Sequence, residues 1–194
     1  TYIFAPGDGA DLIRDAAFAG TENTVRLTAV DPADLLVERI LENGRPTSDA
    51  RLIYAPGASV RIDGQLSGGT DIQRVAFDDG TVLDADEILA LATVLGTDAA
   101  ETLPGEGLVD PMGGDDRVEG DSRTDDTLIW RPGSGNDVYD DDGFDGGANA
   151  VRFEGLAAAG IALSRDGTDL VATHPPTGET VTVLGQFAEI NNGR

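Results

Sequence analysis

Residues 133–141 read GSGNDVYDD, and a near-copy, GDGADLIRD, occupies residues 7–15. Both stretches place two glycines one residue apart, an aspartate two residues later, and an apolar residue two residues after that. Glycine adopts positive φ without steric cost, so this pattern predicts a tight turn that leads into a short strand. Such a turn exposes backbone carbonyls beside a carboxylate, and its ordering requires a group that satisfies those oxygens.

The composition is strongly acidic. The 194 residues carry 36 Asp and Glu against 13 Lys and Arg, a formal net charge of −23, and 26 of the 36 acids are Asp. Binding to nucleic acid needs a basic face, and so does attraction to an anionic membrane, which argues against both partners. The excess of Asp favours turns and short ligands, because Asp hydrogen-bonds to its own backbone.

Aromatic residues make up only 5% of the chain and 26 residues are Gly, so we expect a thin apolar core. Apolar residues nevertheless recur at strand spacing, which argues against disorder. The chain has no Cys and no apolar run near the roughly 20 residues that a membrane span needs. No signal peptide is visible, and the strand-like start at Thr1 leads us to expect a piece of a longer protein.

The chain contains an internal repeat. Residues 1–39 align without gaps on residues 127–165, at an offset of 126, so that Phe4 falls on Trp130. Residues 59–66 then align on residues 180–187, at an offset of 121. The sequence therefore predicts two modules with a boundary at Gly96–Thr97: residues 1–96 and residues 97–194.

Both modules predict an all-β fold. Alternating apolar residues in SVRIDGQL and IQRVAF predict strands, and Pro56–Gly57 and the DDG triplet predict hairpin turns. One short α-helix is expected near 84–95, with Asp84 as its N-cap, Glu87 completing a capping box and Gly96 ending it.

A looser period of Gly-x-Asp-x-apolar runs between residues 99 and 151, with partial copies of the turn at Asp116 and Asp126. If successive turns stack, the facing loops bring carbonyl and carboxylate oxygens together. A cage of oxygens suits Ca²⁺, which takes six to eight ligands, better than Mg²⁺, which demands near-ideal octahedra. Zinc is disfavoured because the chain has no Cys and one His.

These residues resemble the RTX, or haemolysin-type, repeat G-G-x-G-x-D-x-U-x, a calcium-binding repeat of parallel β-helices. GDGADLI and GSGNDVY match the G-x-G-x-D-x-U core, MGGDDRV and TDDTL match it in part, and the segment 64–89 resembles a DGT-containing region that often follows RTX repeats. The resemblance implies parallel β-roll or β-helix turns capped by antiparallel hairpins. It also implies a secreted protein that leaves a Gram-negative cell through type I secretion machinery.

The candidate calcium ligands follow from the motif. The strongest sites are expected between the loops that carry Asp116, Asp126 and Asp137, whereas the turn at Asp11 has no preceding glycine–aspartate turn and is expected to be half-built. An Asx-turn is the alternative role for the motif aspartates, and a solvated acid is the alternative for the outer ones. The full set is Asp137, Asp126, Asp116, Asp11, Gly133, Gly135, Gly7, Gly9, Asp141 and Asp15.

Three classes of function remain open. The first is a calcium-induced folding module of a larger exported protein, located outside the cell. The second is an adhesin module that binds a glycan or a cell-surface ligand, and the third is an accessory domain of an RTX-bearing enzyme. No catalytic frame surrounds the acids or His174, which lies in a predicted turn, so we do not expect the chain itself to be an enzyme.

Overall fold

The computed structural model describes residues 1–15, 22–67, 72–120, 125–141 and 148–188. The chain divides into two compact units, Thr1–Thr93 and Val94–Arg194. The predicted boundary at Gly96–Thr97 lies just beyond this division and stays a prediction. The fold is all-β with one short α-helix, and no described helix is long and apolar enough to span a membrane.

Unit 1 consists mainly of strands and contains one short α-helix. Its strands are β1 Tyr2–Phe4, β2 Ala10–Ile13, β3 Thr24–Leu27, β4 Leu36–Glu42, β5 Arg45–Ala55, β6 Ala58–Ile62, β7 Arg74–Phe77 and β8 Val82–Asp84. A 3-10 helix at Pro32–Asp34 precedes β4, and the α-helix α1 spans Ala85–Leu91. The strand β9, Ala92–Leu95, follows α1.

The strands of unit 1 form parallel pairs closed by antiparallel hairpins. One sheet has the order β1-β3-β7-β8, with β7 and β8 antiparallel about the predicted DDG turn. In the other sheet β4, β5 and β6 form an antiparallel meander, and β2 joins the outer side of β6 in parallel. The predicted Pro56–Gly57 turn joins β5 to β6. Apolar residues of these strands, with Leu27, Leu52 and Val60 fully buried, form one contiguous core.

Unit 2 begins with short strands and ends with longer ones. They are β10 Thr102–Gly105, β11 Leu108–Asp110, β12 Arg117–Gly120, β13 Thr127–Trp130, β14 Asp137–Asp141, β15 Ala150–Phe153, β16 Ala162–Asp166, β17 Asp169–Thr173 and β18 Thr180–Val183. A 3-10 helix at Ala158–Gly160 precedes β16.

The first six strands of unit 2 alternate between two parallel sheets. β10, β12 and β14 pair in one sheet, and β11, β13 and β15 pair in the other. The chain therefore coils, adding one strand to each sheet per turn, and the antiparallel strands β18, β17 and β16 continue the first sheet. Val118, Leu128 and Tyr139 are buried, as the repeat predicts, and Val109 is the buried apolar residue of β11. Met112 lies after that strand, in a loop at φ +69°.

Strand pairing reproduces the offset of 126. Tyr2 of β1 pairs with Val25 of β3, and the residues 126 positions later, Leu128 and Val151, pair in the same way. The hydrogen bonds that follow these strands also correspond, from Thr28 N–H to Phe4 O and from Glu154 N–H to Trp130 O. The strand register at this offset therefore corresponds between the two units.

Strand pairing also reproduces the offset of 121. Asp11 of β2 pairs in parallel with Val60, and Asp137 of β14 pairs in parallel with Val181. Each glycine–aspartate turn thus leads into a strand that pairs with the outer strand of a hairpin that comes later in its unit.

The predicted capping box starts α1. The Asp84 carboxylate accepts the Glu87 N–H at 2.9 Å, and the Glu87 carboxylate accepts the Asp84 N–H at 2.9 Å. The helix is shorter than its apolar period indicates, because it ends at Leu91 and the next four residues form β9, whose Ala92 pairs with Val37. The β-branched residues Thr93 and Val94 favour this strand.

Substituting Asp84 tests the capping box. We expect Asp84→Ala to lower the free energy of unfolding by about 1 kcal/mol, since it leaves the first turn of α1 without its carboxylate acceptor. Urea denaturation in a buffer of fixed composition measures this. Asp86→Ala, in the same turn but outside the box, is the control, and equal losses in both variants would contradict the assignment.

Candidate metal centre

The glycine turns of unit 2 stack through direct backbone contact. Gly114 and Gly135 occupy equivalent positions in successive turns, with φ of +109° and +90°. A Cβ atom at Gly135 would lie 1.8 Å from the carbonyl oxygen of Gly114, and one at Gly114 would lie 2.8 Å from the carbonyl carbon of Ala99. Only glycine fits both places, so the second glycine of the motif sets the distance between turns.

A ladder of carboxylates connects the same turns. The backbone N–H of Asp116 donates to Oδ1 of Asp137 at 3.0 Å, and the N–H of Glu101 donates to Oδ1 of Asp116 at 2.8 Å. Asp137 is 1% exposed and Asp116 is 2% exposed. Each aspartate therefore satisfies a backbone donor of the preceding turn from inside the stack.

The second oxygen of each carboxylate has no partner. Oδ2 of Asp116 and Oδ2 of Asp137 are both buried and accept no hydrogen bond. A buried acceptor without a donor loses its hydration with no compensation, and a buried negative charge loses more. The two turns therefore carry an unsatisfied negative charge that a cation would neutralise.

The pKa values of Asp116 and Asp137 reflect the burial of these unpartnered oxygens. The pKa of Asp137 is raised to about 7, with burial as the largest cause. The hydrogen bond from the Asp116 N–H opposes this shift, and the charges of Asp116 and Asp115 contribute to it. The indole N–H of Trp130 lowers the pKa of Asp137 and is the smallest of these effects. It forms no hydrogen bond of standard geometry. Burial likewise raises the pKa of Asp116.

The donor set fits a hard cation bound largely by oxygens of the main chain. In the described ranges, no group of three or more Asp, Glu or His side chains converges as a set of metal ligands. The carboxylates of Asp116 and Asp137 would thus be joined by carbonyls of the turns at 112–115 and 133–136, which include Gly133 and Gly135. Ca²⁺ accepts such mixed sets of carboxylate and carbonyl oxygens.

Asp126 belongs to a different group from Asp116 and Asp137. Its Oδ1 accepts the Gly107 N–H at 2.9 Å, and it is fully buried. A Cβ atom at Gly120 would lie 3.4 Å from Oδ2 of Asp126, 3.3 Å from Oδ1 of Asp141 and 3.0 Å from the Tyr139 hydroxyl. The structure therefore brings two predicted ligands, Asp126 and Asp141, to the same place above Gly120.

Asn149 hydrogen-bonds to both aspartates of this second group, Asp126 and Asp141. Its Oδ1 accepts the Asp126 N–H at 2.8 Å, and its Nδ2 donates to Oδ2 of Asp141 at 2.6 Å. In unit 1 the equivalent Asn23 donates from Nδ2 to Oδ2 of Asp15 at 2.7 Å. An amide supplies both an acceptor and a donor here, which explains why Asn stands where the motif would place Asp.

The turn of unit 1 has the same backbone but different surroundings. Gly7 and Gly9 have φ of +101° and +89°, close to their counterparts in unit 2. Asp11 is exposed, because β2 pairs only with β6 and, in the described ranges, no strand covers its outer edge. Asp15 accepts hydrogen bonds from Tyr2 and Asn23. The expectation of a half-built site and the role of Asp11 as a ligand stay predictions.

Sequence reasoning missed the contacts of the loop at 174–180. The Glu179 carboxylate accepts the Gly133 N–H at 3.0 Å and the Thr177 hydroxyl at 2.7 Å. His174 is 9% exposed, and its Nδ1 lies 2.9 Å from Oγ1 of Thr177. The Gly133 N–H and the Thr177 hydroxyl hold the pKa of Glu179 below its ordinary value. The offset of 121, extended two residues before Val181, was the signal that could have placed Glu179 beside this turn.

An ion-pair ladder at the ends of β11, β13 and β15 was also missed. Arg131 donates to both oxygens of the largely buried Asp110, at 3.0 and 2.7 Å, and to Glu154 at 3.1 Å. A bidentate Arg–carboxylate pair is directional as well as charged, so it fixes the register of the three strands.

Comparisons with known proteins give little. No family model matches the chain, and no curated protein matches it. Among solved structures, the crystal structure of the extracellular lipase LipA from Serratia marcescens is similar, with 17% identity and a TM-score of 0.37. The similarity covers 96% of this chain and 33% of the lipase, so the chain spans about a third of the lipase's length.

Two glycines of one turn provide a matched test of the stacking. We expect Gly133→Ala to cost about 1–3 kcal/mol, because its φ is +96° but no atom lies within 4 Å of the new Cβ. Gly135→Ala should cost clearly more, because it adds a collision with a backbone oxygen to the same strain. Urea denaturation measures both variants, and a Gly135→Ala variant no less stable than Gly133→Ala would contradict direct stacking.

The raised pKa of Asp137 predicts how stability depends on pH without metal. Between its unfolded value near 4 and its folded value of about 7, the folded state holds the extra proton. The contribution of Asp137 to the free energy of unfolding therefore falls as pH rises through this window. In EGTA, Asp137→Asn should gain stability relative to the unsubstituted chain from about pH 4.5 to about pH 7.5, as followed by urea titration. Parallel pH profiles would contradict the buried charge.

Proposed function

We propose that this chain is a calcium-binding module whose glycine–aspartate turns are ordered by Ca²⁺, and that it belongs to a larger secreted bacterial protein of the RTX type. The observation that carries the proposal is the pair of buried, unpartnered oxygens, Oδ2 of Asp116 and Oδ2 of Asp137. Both lie in turns whose sequence matches the RTX motif in whole or in part.

Each of the two carboxylates uses one oxygen in a hydrogen bond and leaves its other oxygen available to a cation. Oδ1 of each accepts a backbone N–H of the preceding turn, which fixes the plane of the carboxylate. Each remaining oxygen lies in the interior, where an opposite charge is screened less than at the surface. Bound Ca²⁺ would supply that charge and would accept carbonyl oxygens of the turns as further ligands.

The dependence on calcium is expected to be greater in unit 2 than in unit 1. Unit 1 has a contiguous apolar core that includes Leu27, Tyr54 and Ile62, and its motif aspartate is exposed. In unit 2 the motif aspartates are buried between turns. Without a counter-ion these charges oppose stacking, so the metal-free form of unit 2 should be the less ordered of the two.

This arrangement suits a protein that folds after export. Extracellular calcium modules have Kd values of about 10⁻⁴ to 10⁻³ M, so they are loaded outside a cell and empty at cytosolic calcium. Each site at ten times its Kd would add about 1.4 kcal/mol to folding. The chain would leave the cell incompletely folded, through secretion machinery that acts on the parent protein, and would fold in the extracellular medium.

The proposal assigns the chain a binding role and not a catalytic one. The buried carboxylates accept backbone N–H groups, and His174 contacts Thr177 within its own loop. A glycan-binding role receives less support, because Trp130 is fully buried and cannot stack on a sugar.

Terbium luminescence tests the proposed site directly. Tb³⁺ replaces Ca²⁺ in oxygen sites and is sensitised by a nearby indole, and the only Trp of the chain, Trp130, interacts with Asp137. We expect excitation of Trp130 to produce Tb³⁺ emission that Ca²⁺ removes by competition. Asp137→Asn should weaken Tb³⁺ binding by about tenfold or more, since it removes one charged ligand.

Asp166→Asn is the matched control, because it removes an exposed carboxylate of the same unit. Circular dichroism in EGTA and in millimolar Ca²⁺ should also differ. The proposal fails if Tb³⁺ emission is absent, if both variants bind equally, or if the two spectra coincide.

A further inference from the structure

The loop at 174–180 occupies the place of a further turn in the stack of unit 2. Arg117 of β12 pairs with Val138, and Asp137 of β14 pairs with Val181, so β18 continues the parallel series that β12 and β14 begin. By this register Glu179, two residues before Val181, falls opposite Gly135, two residues before Asp137. The segment that precedes β18 therefore stacks on the glycine turn as that turn stacks on the one before it.

The loop is closed internally by its own hydrogen bonds. The N–H groups of Thr177 and Gly178 both donate to the His174 carbonyl, at 3.2 and 2.8 Å, and the His174 N–H donates to the Glu179 carbonyl at 2.9 Å. Since the Thr177 hydroxyl donates to Glu179, it accepts from Nδ1–H of His174. Hydrogen bonds within the loop thus hold the Glu179 carboxylate in place independently of its contact with the glycine turn.

The face of the glycine turn beside this loop presents N–H groups. The Gly133 N–H donates to Oε2 of Glu179 at 3.0 Å, and the backbone of Gly135 adds a weaker stabilising effect on the carboxylate. Glycines at positive φ turn their N–H groups toward a common side, which forms a concavity for an anion. Thr180 adds a hydrogen bond from its hydroxyl to Oδ1 of Asn136 at 3.2 Å.

Unit 1 provides the comparison. At the offset of 121 the counterpart of Glu179 is Ala58, and the hairpin there is closed by the short turn Pro56–Gly57. The equivalent glycine turn at Gly7–Gly9 therefore has no carboxylate at this position. The contact of Glu179 with the glycine turn belongs to unit 2, the unit in which the motif aspartates are buried.

We propose that the loop at 174–180 closes the glycine turn that precedes β14 and that Glu179 is a positioning residue, which orders Gly133–Gly135 before calcium binds at Asp137. This inference rests on the proposed calcium function. Glu179 is not assigned as a ligand, because its Oε2 already accepts two donors. Its effect on affinity comes from holding the turn in the bound conformation, which lowers the entropy lost on binding.

Calorimetry on the full chain tests the role of Glu179. Glu179→Ala should weaken Ca²⁺ binding at one site by about tenfold, as loss of a charge-assisted hydrogen bond implies, and leave other sites unchanged. Glu179→Gln should stay within about threefold, because its side-chain carbonyl can still accept the Gly133 N–H. Asp169→Ala is the control, because it removes a carboxylate–backbone bond, to Gly185 N–H, elsewhere in unit 2.

Hydrogen exchange in EGTA tests ordering without metal. We expect amides of 131–137 to exchange faster in Glu179→Ala than in the unsubstituted chain, and no change in Asp169→Ala. Thr177→Val, which removes the hydroxyl donor but leaves the contact with Gly133, should have a smaller effect in the same direction. If Glu179→Ala does not fold, Thr177→Val replaces it in every comparison.

Each outcome decides between the proposals. Calcium binding by the unsubstituted chain, with equal affinity in Glu179→Ala and Asp169→Ala, overturns the positioning role and leaves the calcium function in place. Equal losses in Glu179→Ala and Glu179→Gln also overturn it, since a direct ligand would respond in that way. If the unsubstituted chain binds no calcium, the proposed function fails, and unchanged exchange at 131–137 in Glu179→Ala then shows that Glu179 does not order the turn either.

Discussion

The hydrogen bond from the backbone of one turn to the aspartate of the next is the interaction on which unit 2 depends. It links Asp116 N–H to Asp137 and Glu101 N–H to Asp116, and it fixes the register of the parallel strands that follow. The same bond forces each carboxylate into the interior, where its second oxygen is left without a donor. The geometry that aligns the coil therefore creates a buried negative charge, and the proposed binding of a cation rests on that charge.

Close stacking is possible only because of the glycines. Gly114 and Gly135 let two backbones approach to a distance that any Cβ atom would prevent, and their positive φ lets the chain reverse within a few residues. The motif thus combines a steric requirement with a chemical one. Glycine sets the distance between turns, and aspartate satisfies the donor that this distance brings near.

The two units show how much the neighbouring turn matters. Ile3 is 65% exposed and its counterpart Ile129 is 5% exposed, although both occupy the same place in equivalent strands. Asp11 and Asp137 differ in the same way. The glycine turn before β14 meets the loop with Glu179, whose carboxylate accepts the Gly133 N–H. A carboxylate therefore lies where a further glycine turn would stack.

The sequence by itself determined the tight turns, the start of the helix and the correspondence of strand register between the two units. Glycine spacing, the offsets of 126 and 121 and the capping box at Asp84 are local or periodic signals, and the structure reproduces each of them. The sequence did not determine which aspartates lie close together. Asp126 groups with Asp141 and not with Asp137, because Asp137 begins β14 and Asp141 ends it, and Asp126, directly before β13, lies near that end. The end of α1 at Leu91 follows from the pairing of β9 with β4. Burial, partner and charge at each carboxylate depend on what stacks against it, and that is decided by contacts between residues far apart in the chain.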